Sequence, residues 1–241
     1  GTVANTVVDL NGGTRTFTVA NGAAVDDLVI DAFIRNGGLI KAGDGTMLVT
    51  GANTYAGTTA INAGTLVLNG AHAGGGAYTV AAGATLAGFG STNAPVFVEN
   101  DGVLSPGNSP GALTIGSLTL ADTSLLTFEL DVPNLGNSTL SDRIDVTGDL
   151  LLNGILNVEP LAGFGTPEVG DRWRLFNYTG SLTDLGLDVL LTSLPALSPE
   201  LRYEIDTSVA HQVDLVVGVP EPSSLLLMAL GLLVLLARRR P

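Results

Sequence analysis

Residues Gly38 to Leu66 read GLIKAGDGTMLVTGANTYAGTTAINAGTL. Two turns of similar chemistry, Gly45-Thr46-Met47-Leu48 and Gly64-Thr65-Leu66, stand 19 residues apart, and each opens a short aliphatic run. The spacing continues downstream. Gly83-Ala84-Thr85-Leu86 and Gly102-Val103-Leu104 fall at the next two steps of 19, so the four glycines keep one period. A fixed period of this length signals stacked coils, because a coil this short cannot bury its own apolar face and neighbouring copies must bury it. Each glycine follows a small or turn-forming residue, in Asp44-Gly45, Ala63-Gly64, Ala82-Gly83 and Asp101-Gly102. The expectation is that glycine supplies a backbone angle that other residues resist. Met47-Leu48-Val49, Leu66-Val67-Leu68 and Val96-Phe97-Val98 are short strands, separated by Asn, Gly, Thr and Ser. The predicted fold is all-β: a right-handed parallel β-helix, or β-solenoid, over residues 1–125.

Residues 126–217 are less regular. Leu125-Leu126-Thr127-Phe128-Glu129-Leu130-Asp131-Val132 alternates at period two, Trp173-Arg174-Leu175-Phe176-Asn177-Tyr178 reads as a strand, and Val209–Val217 as the last one. Terminal coils and a C-terminal cap are expected here, since an open solenoid end exposes strand edges and apolar core. Residues 218–241 form a third segment. Pro220-Glu221-Pro222 is an extended linker, Ser223 to Ala237 is an uncharged apolar run, and Arg238-Arg239-Arg240 close it before Pro241. As a helix the run is roughly 22 Å long, short of a bilayer core of roughly 30 Å, with snorkelling arginines making up part of the difference. Apolar runs of 10–14 residues are usually buried core helices, but the triple arginine and the lack of a polar face favour a short membrane helix over 223–237. Its positive end then stays cytoplasmic and everything before Pro220 is exported.

Val219-Pro220-Glu221-Pro222-Ser223-Ser224, the apolar run and the arginine cluster together resemble the PEP-CTERM sorting signal of bacterial exported proteins. That resemblance implies a partner, an exosortase-like membrane transpeptidase that recognises Pro220, Glu221 and Pro222 and removes the helix. Arg238, Arg239 and Arg240 would be the membrane stop. A sorting tail also presupposes an earlier export signal, so the start at Gly1 is expected to be a processed or truncated one. Residues 38–66, through Lys-x-Gly-x-Gly-Thr, Gly-x-Asn-Thr-Tyr-x-Gly and Gly-Thr-Leu, resemble the passenger-associated repeat of autotransporter β-helices. Leu104-Ser105-Pro106-Gly107-Asn108-Ser109-Pro110-Gly111-Ala112-Leu113-Thr114-Ile115 is similar to a Pro-Gly corner of such passengers. Ser141–Gly148 and Gly154–Val158 are similar to their terminal coils. The chain departs from them in having a different export address in place of a translocating barrel.

Composition narrows the function. With no cysteine there is no disulfide framework and no thiolate metal site. Of 10 basic residues three are the terminal arginines, so residues 1–237 hold 7 basic and 23 acidic side chains, a net of −16 against −13 for the whole chain. Nucleic acid is excluded as a partner on that balance. Candidate chemistry is sparse. Glu129 and Asp131 share a strand face roughly 7 Å apart, within range for a glycosidase pair, but a solvated acidic face above Phe128 and Leu130 is the simpler reading. Asp142, Asp145 and Asp149 form an acidic cluster whose two readings are a weak calcium site and plain surface charge, and the lack of a calcium-loop pattern favours surface charge. His72 and His211 are isolated and read as loop residues. Arg172-Trp173-Arg174 suggests sugar stacking, or more simply a tryptophan packed under a cap between exposed arginines. Lys41 belongs to the repeat and is expected to bond a neighbouring coil; Asn53-Thr54-Tyr55 is expected to supply stacked asparagine amides. The sequons at Asn137 and Asn177 carry little weight. No catalytic residue, metal site or cofactor is assigned. The expected function is an exported, non-catalytic structural or adhesion-type protein of the cell surface or extracellular (biofilm) matrix, with extracellular polysaccharide as a candidate partner. The alternative is a β-helical lyase or glycoside hydrolase acting on that polysaccharide.

Overall fold

A computed structural model describes residues 2–107 and 109–220 of the chain. It is all-β with two short 3-10 turns, Ala162–Phe164 and Leu191–Ser193, and its strands form three sheets of nine, eight and seven. The path repeats. Thr65–Leu68 lies in the nine-stranded sheet (sheet 1), Ala71–His72 in the seven-stranded one (sheet 3), Tyr78–Val80 in the eight-stranded one (sheet 2), and Thr85–Gly88 returns to sheet 1. Each strand pairs in parallel with its counterpart one coil away, giving a three-faced parallel β-helix. The expected short C-terminal helix over 223–237 lies outside the described residues.

Alternation builds the core. Strand after strand places every second side chain inward, so vertical neighbours are apolar. On sheet 1, Met47, Leu66, Leu86, Leu104, Leu126 and Leu156 stack in register and all are buried. Each such leucine contributes about 2 kcal/mol through burial alone. The outward positions are small or neutral: Thr46, Thr65 and Thr85 form one column, Val29, Leu48, Val67, Ala87 and Ser105 another.

The period of 19 is local. Thr46 pairs with Thr65, 19 residues on, but Thr65 pairs with Thr85 and Thr85 with Val103, steps of 20 and 18. Gly83 therefore sits one place out of register with the other three glycines, and the turn absorbs the extra residue. Nor do the four share one role. Gly64 and Gly83 take positive φ (+62° and +73°), whereas Gly45 is needed for close approach, since a Cβ there would lie 2.5 Å from the Ala20 carbonyl oxygen. At the fourth turn Asp101 (φ +61°) carries the left-handed angle and not Gly102.

Later coils lengthen. Leu125 pairs with Ile155, a step of 30, because residues 131–142 loop out between sheet 1 and sheet 3. Residues 161–171 loop out at the same corner one coil later, before Arg172–Tyr178. The stack ends in an antiparallel hairpin, Arg202–Asp206 with Gln212–Gly218, which pairs onto Arg172–Tyr178 at the edge of sheet 3. A register shift between Arg174 and Phe176 makes Leu175 and Phe176 consecutive buried residues, which plain alternation does not predict.

Candidate functional site

The loop corner between sheets 1 and 3 gathers three carboxylates, those of Glu129, Asp142 and Glu159. Glu129 and Glu159 are paired partners on adjacent coils, facing outward, and with Asp142, Ser109 and Thr127 they line a cavity of about 300 Å³. Asp131 does not join them. Its carboxylate accepts the Gly163 N–H and its own N–H donates to Ser141 Oγ, so the Glu129/Asp131 pair expected from strand spacing is replaced by Glu129/Glu159 across coils.

Asp142 organises this corner. Its carboxylate is buried and accepts two backbone N–H groups, from Gly111 to Oδ1 and from Glu129 to Oδ2, both at 2.8 Å. The Pro-Gly turn is thereby tied to the strand of the next coil. Burial pushes the Asp142 carboxyl up to about 7; the two N–H donors oppose this, and the charges of Glu129 and Glu159 add to it. The folded chain thus holds a proton here that the unfolded chain has released between about pH 4 and 7, and stability from this group falls as pH rises through that window. The full cost above pH 7 is about 4 kcal/mol. Urea unfolding of wild type and Asp142→Asn from pH 4 to 8 should show the wild type losing stability with rising pH in excess of the variant; parallel curves would refute the assignment.

The other two aspartates of the sequence cluster point elsewhere. Arg143 binds Asp145 bidentately, Nε to Oδ1 at 2.9 Å and Nη2 to Oδ2 at 3.0 Å, and Asn177 Nδ2 donates to the same carboxylate. Burial alone would raise Asp145, but these donors hold it below its ordinary value. Asp149 accepts the Ser181 N–H at 2.7 Å. Among the described residues no three His, Asp or Glu side chains are arranged to hold a metal ion.

His72 is not a loop residue. It is buried on the strand Ala71–His72, stacked on the Tyr55 ring at 4.0 Å, with Nε2 2.8 Å from the Tyr55 carbonyl and Nδ1 2.8 Å from the Tyr78 hydroxyl. A carbonyl only accepts, so Nε2 carries the proton and Tyr78 donates to Nδ1. Burial lowers the imidazole's pKa, against the opposing hydrogen bond with the Tyr55 carbonyl. His211, by contrast, is exposed in the turn before the last strand, at φ +66°.

Asn53 has a structural role, but through the backbone. Its Oδ1 accepts the Ile34 N–H of the preceding coil and its Nδ2 donates to the Gly51 carbonyl; the residues stacked above it are His72 and Thr92, not asparagines. Lys41 is fully buried in an otherwise apolar column with Phe17, Ile61 and Val80. Its Nζ donates to the carbonyls of Ala42, Gly43 and, in the next coil, Ala63, at 3.3, 2.7 and 2.9 Å, while burial lowers its pKa. Lys41→Met keeps the volume and takes the Nζ donor from the Gly43 and Ala63 carbonyls, while the Ala42 carbonyl keeps the Val19 N–H. An expected loss of about 2–3 kcal/mol can be read from thermal unfolding.

Trp173 is buried, stacked on Phe164 at 4.3 Å, and its Nε1–H donates to the Asp131 carbonyl at 2.8 Å. It packs under the loop corner and offers no face to a sugar. Its flanking arginines are engaged: Arg172 and Arg174 both bind the buried Asp214 carboxylate, and Arg172 also pairs with Asp206 at 2.8 Å. Every buried side-chain polar atom among the described residues has a partner. The bond to a neighbouring coil expected of Lys41 is its donation to Ala63, whereas the inward placement of His72, Asp142 and Asp214 was not legible, because nothing local marks a polar residue as inward.

Pro220 is the last described residue before the tail. It lies two residues past the strand Gln212–Gly218, with Val219 exposed, so the proline motif begins as soon as the cap hairpin ends. Glu221, Pro222, the apolar run and Arg238–Arg240 lie outside the described residues. Among the described residues no helix is long and apolar enough to cross a membrane.

Comparison with known proteins agrees with both halves of this architecture. Residues 39–68 match the passenger-associated-transport-repeat model, and residues 218–240 match the PEP-CTERM protein-sorting motif. The chain is also similar to the protein named adhesin BmaC autotransporter from Brucella suis biovar 1 (strain 1330), 39% identical over 185 residues. That alignment covers 75% of this chain and 5% of the relative, so the chain spans a small fraction of the length of the protein it matches.

Proposed function

We propose that this chain is an exported, non-catalytic structural or adhesion-type protein of the cell surface or extracellular matrix. In this reading the solenoid of residues 1–125 and the terminal coils and cap of 126–217 are the cargo, and 218–241 is the sorting segment. An exosortase-like membrane transpeptidase recognises Pro220, Glu221 and Pro222 and cleaves the tail. Residues 223–237 hold the chain in the membrane until then, with Arg238, Arg239 and Arg240 as the stop. The match to the sorting motif supports the address, and the adhesin name of the relative supports the adhesion role.

One observation carries the non-catalytic reading. The outward columns of sheet 1 over residues 46–87 are neutral side chains, Thr46, Thr65 and Thr85 in one and Leu48, Val67 and Ala87 in the other, whereas the buried charged groups are committed to backbone or to one another. A surface of that kind suits extended contact with a polymer or another surface better than bond cleavage. A rival location among the described residues is the Glu129, Glu159 and Asp142 cavity. Incubation with acidic and neutral polysaccharides should yield no new reducing ends or unsaturated products; turnover abolished by Glu129→Gln would sink the proposal in favour of a β-helical lyase or hydrolase. For the tail, the mass of the mature C-terminus is expected to shift on deletion of Pro220–Pro222 in the native host. An unchanged mass and unchanged membrane association would remove the sorting role.

A further inference from the structure

Five asparagines in this chain, Asn11, Asn21, Asn36, Asn69 and Asn153, are each followed by glycine, which puts a carboxamide next to a backbone nitrogen that no side chain shields. Folding makes the five pairs unequal. The Gly12 N–H donates to the Asn36 carbonyl at 2.8 Å, the Gly22 N–H to Asp27 Oδ1 at 2.8 Å and the Gly70 N–H to the Val49 carbonyl at 3.0 Å, so these nitrogens are turned toward other partners. Asn36 is restrained at its carboxamide instead. Its Nδ2 donates to Asp9 Oδ1 at 3.0 Å, and the backbone after it is walled in, since a Cβ on Gly37 would lie 2.3 Å from the Gly13 carbonyl oxygen.

Asn153 is arranged differently. The Gly154 N–H donates to Asn153 Oδ1 at 2.9 Å, so this nitrogen faces the asparagine's own carboxamide, whose carbon is one bond beyond that oxygen. Nitrogen and carbon are thereby held close to a near-attack arrangement. Gly154 is at φ +88°, an angle that glycine adopts without strain. Asn153 is half-buried, and among the described residues its Nδ2 has no protein partner; because every buried side-chain polar atom there has one, this amide faces solvent. Nucleophile, electrophile and a solvated leaving group thus meet in one turn, between Leu150–Leu152 of sheet 2 and Ile155–Pro160 of sheet 1.

We propose that Asn153 is a site of self-modification, converted in the folded protein through a cyclic imide to aspartate and isoaspartate. Hydroxide removes the Gly154 amide proton, the nitrogen bonds to Asn153 Cγ, and the Cγ–Nδ2 bond breaks as Nδ2 takes a proton from water and leaves as ammonia. Water then opens the ring. Attack at Cγ gives aspartate, whereas attack at the main-chain carbonyl gives isoaspartate, which runs the backbone through the former side chain and lengthens it by one carbon. Pairing on both sides of the turn opposes that extra length: the Ile155 N–H donates to the Ser124 carbonyl at 2.8 Å, and the Asp188 N–H to the Gly154 carbonyl at 2.9 Å. The strain falls on the last coils, beside the cap.

The test uses the purified full-length protein, held at neutral pH for weeks and digested for mass spectrometry. The peptide bearing Asn153 should gain about 1 Da, with isoaspartate detected by enzymatic methylation, at least about five-fold faster than any peptide bearing one of the other four asparagines. In concentrated urea the five should react within about two-fold of one another, because the advantage lies in the fold. A different Asn-Gly pair leading in the folded protein would overturn the proposal, and so would conversion of Asn153 only in urea. Asn153→Gln supplies the control for Asn157, which lies close by in the sequence. The variant should lose the mass gain in this peptide; a gain that persists would place the reaction elsewhere and overturn the assignment.

Discussion

Asp214→Ala is expected to cost about 3 kcal/mol, because it removes the buried carboxylate from two guanidinium groups, of which Arg174, 11% exposed, loses its ion pair while Arg172, 38% exposed, keeps Asp206. The carboxylate is 1% exposed, accepts from Arg172 Nη1 at 2.6 Å and from Arg174 Nε, and sits on the strand that joins the hairpin to the solenoid. Arg174 also donates to Asn177 Oδ1 at 2.8 Å and to Gln212, so the loss spreads through the last coil. The measurement is favourable, since the single tryptophan, Trp173, lies between the two arginines in sequence and beneath the loop corner in space. Urea unfolding followed by Trp173 fluorescence should show the cap opening well before the sheet signal in far-ultraviolet circular dichroism. Stacked coils permit such a split because each touches only its neighbours. Replacing the whole cluster, Asp214→Leu with Arg172→Met and Arg174→Met, should cost much less than Asp214→Ala alone, since the penalty lies in the uncompensated charge. A loss below about 1 kcal/mol for Asp214→Ala would show that solvent screens the whole cluster, Arg174 included.

The run Gly74-Gly75-Gly76 should divide into two intolerant positions and one tolerant one. A Cβ on Gly74 would stand 1.7 Å from the Tyr55 carbonyl oxygen and 2.5 Å from His72 Nε2, and a Cβ on Gly76 would stand 1.9 Å from the Gly57 carbonyl oxygen. Neither carbonyl clash can be relieved by a rotamer change, because the Tyr55 and Gly57 oxygens are backbone of the coil below. Gly75 meets nothing within 4 Å. Gly74→Ala and Gly76→Ala are each expected to cost about 4 kcal/mol or more, whereas Gly75→Ala should be neutral or stabilise by about 0.5 kcal/mol through the unfolded chain. Melting temperatures of the three variants settle it; similar values for Gly75→Ala and Gly76→Ala would mean that the coils are not in backbone contact here. Gly74→Ala has a further signature. It pushes on the histidine that links Tyr55 to Tyr78, so the buried network should lose protection from hydrogen exchange first.

Much of this architecture was legible in advance because its cause is local. Alternation at period two and a turn every 19 residues or so state that short strands recur and which side chains face in, and that suffices for a stack. The glycine spacing was legible too, but not the reasons for it: Gly64 supplies a left-handed angle, Gly45 admits a neighbouring carbonyl, and the distinction exists only once coils are superposed. At the loop corner the sequence offered Glu129 with Asp131, neighbours along a strand. The fold made Glu129 a neighbour of Glu159, 30 residues away, because the loop of 131–142 lengthens one coil without disturbing the pairing of Leu125–Leu130 with Ile155–Pro160.

By itself, then, the sequence determined the repeat, the inward columns, the acidic balance and the apolar tail with its arginines, all of which are properties of residues close together in the chain. Only the tertiary structure decided where each polar side chain finds its partner: Lys41 at Ala63, His72 between Tyr55 and Tyr78, Asp142 beneath Gly111, Asp214 between two arginines. The physical reason is that in a solenoid the contacts that satisfy a buried polar group run across coils, and the length of each coil depends on loops whose size no periodicity records.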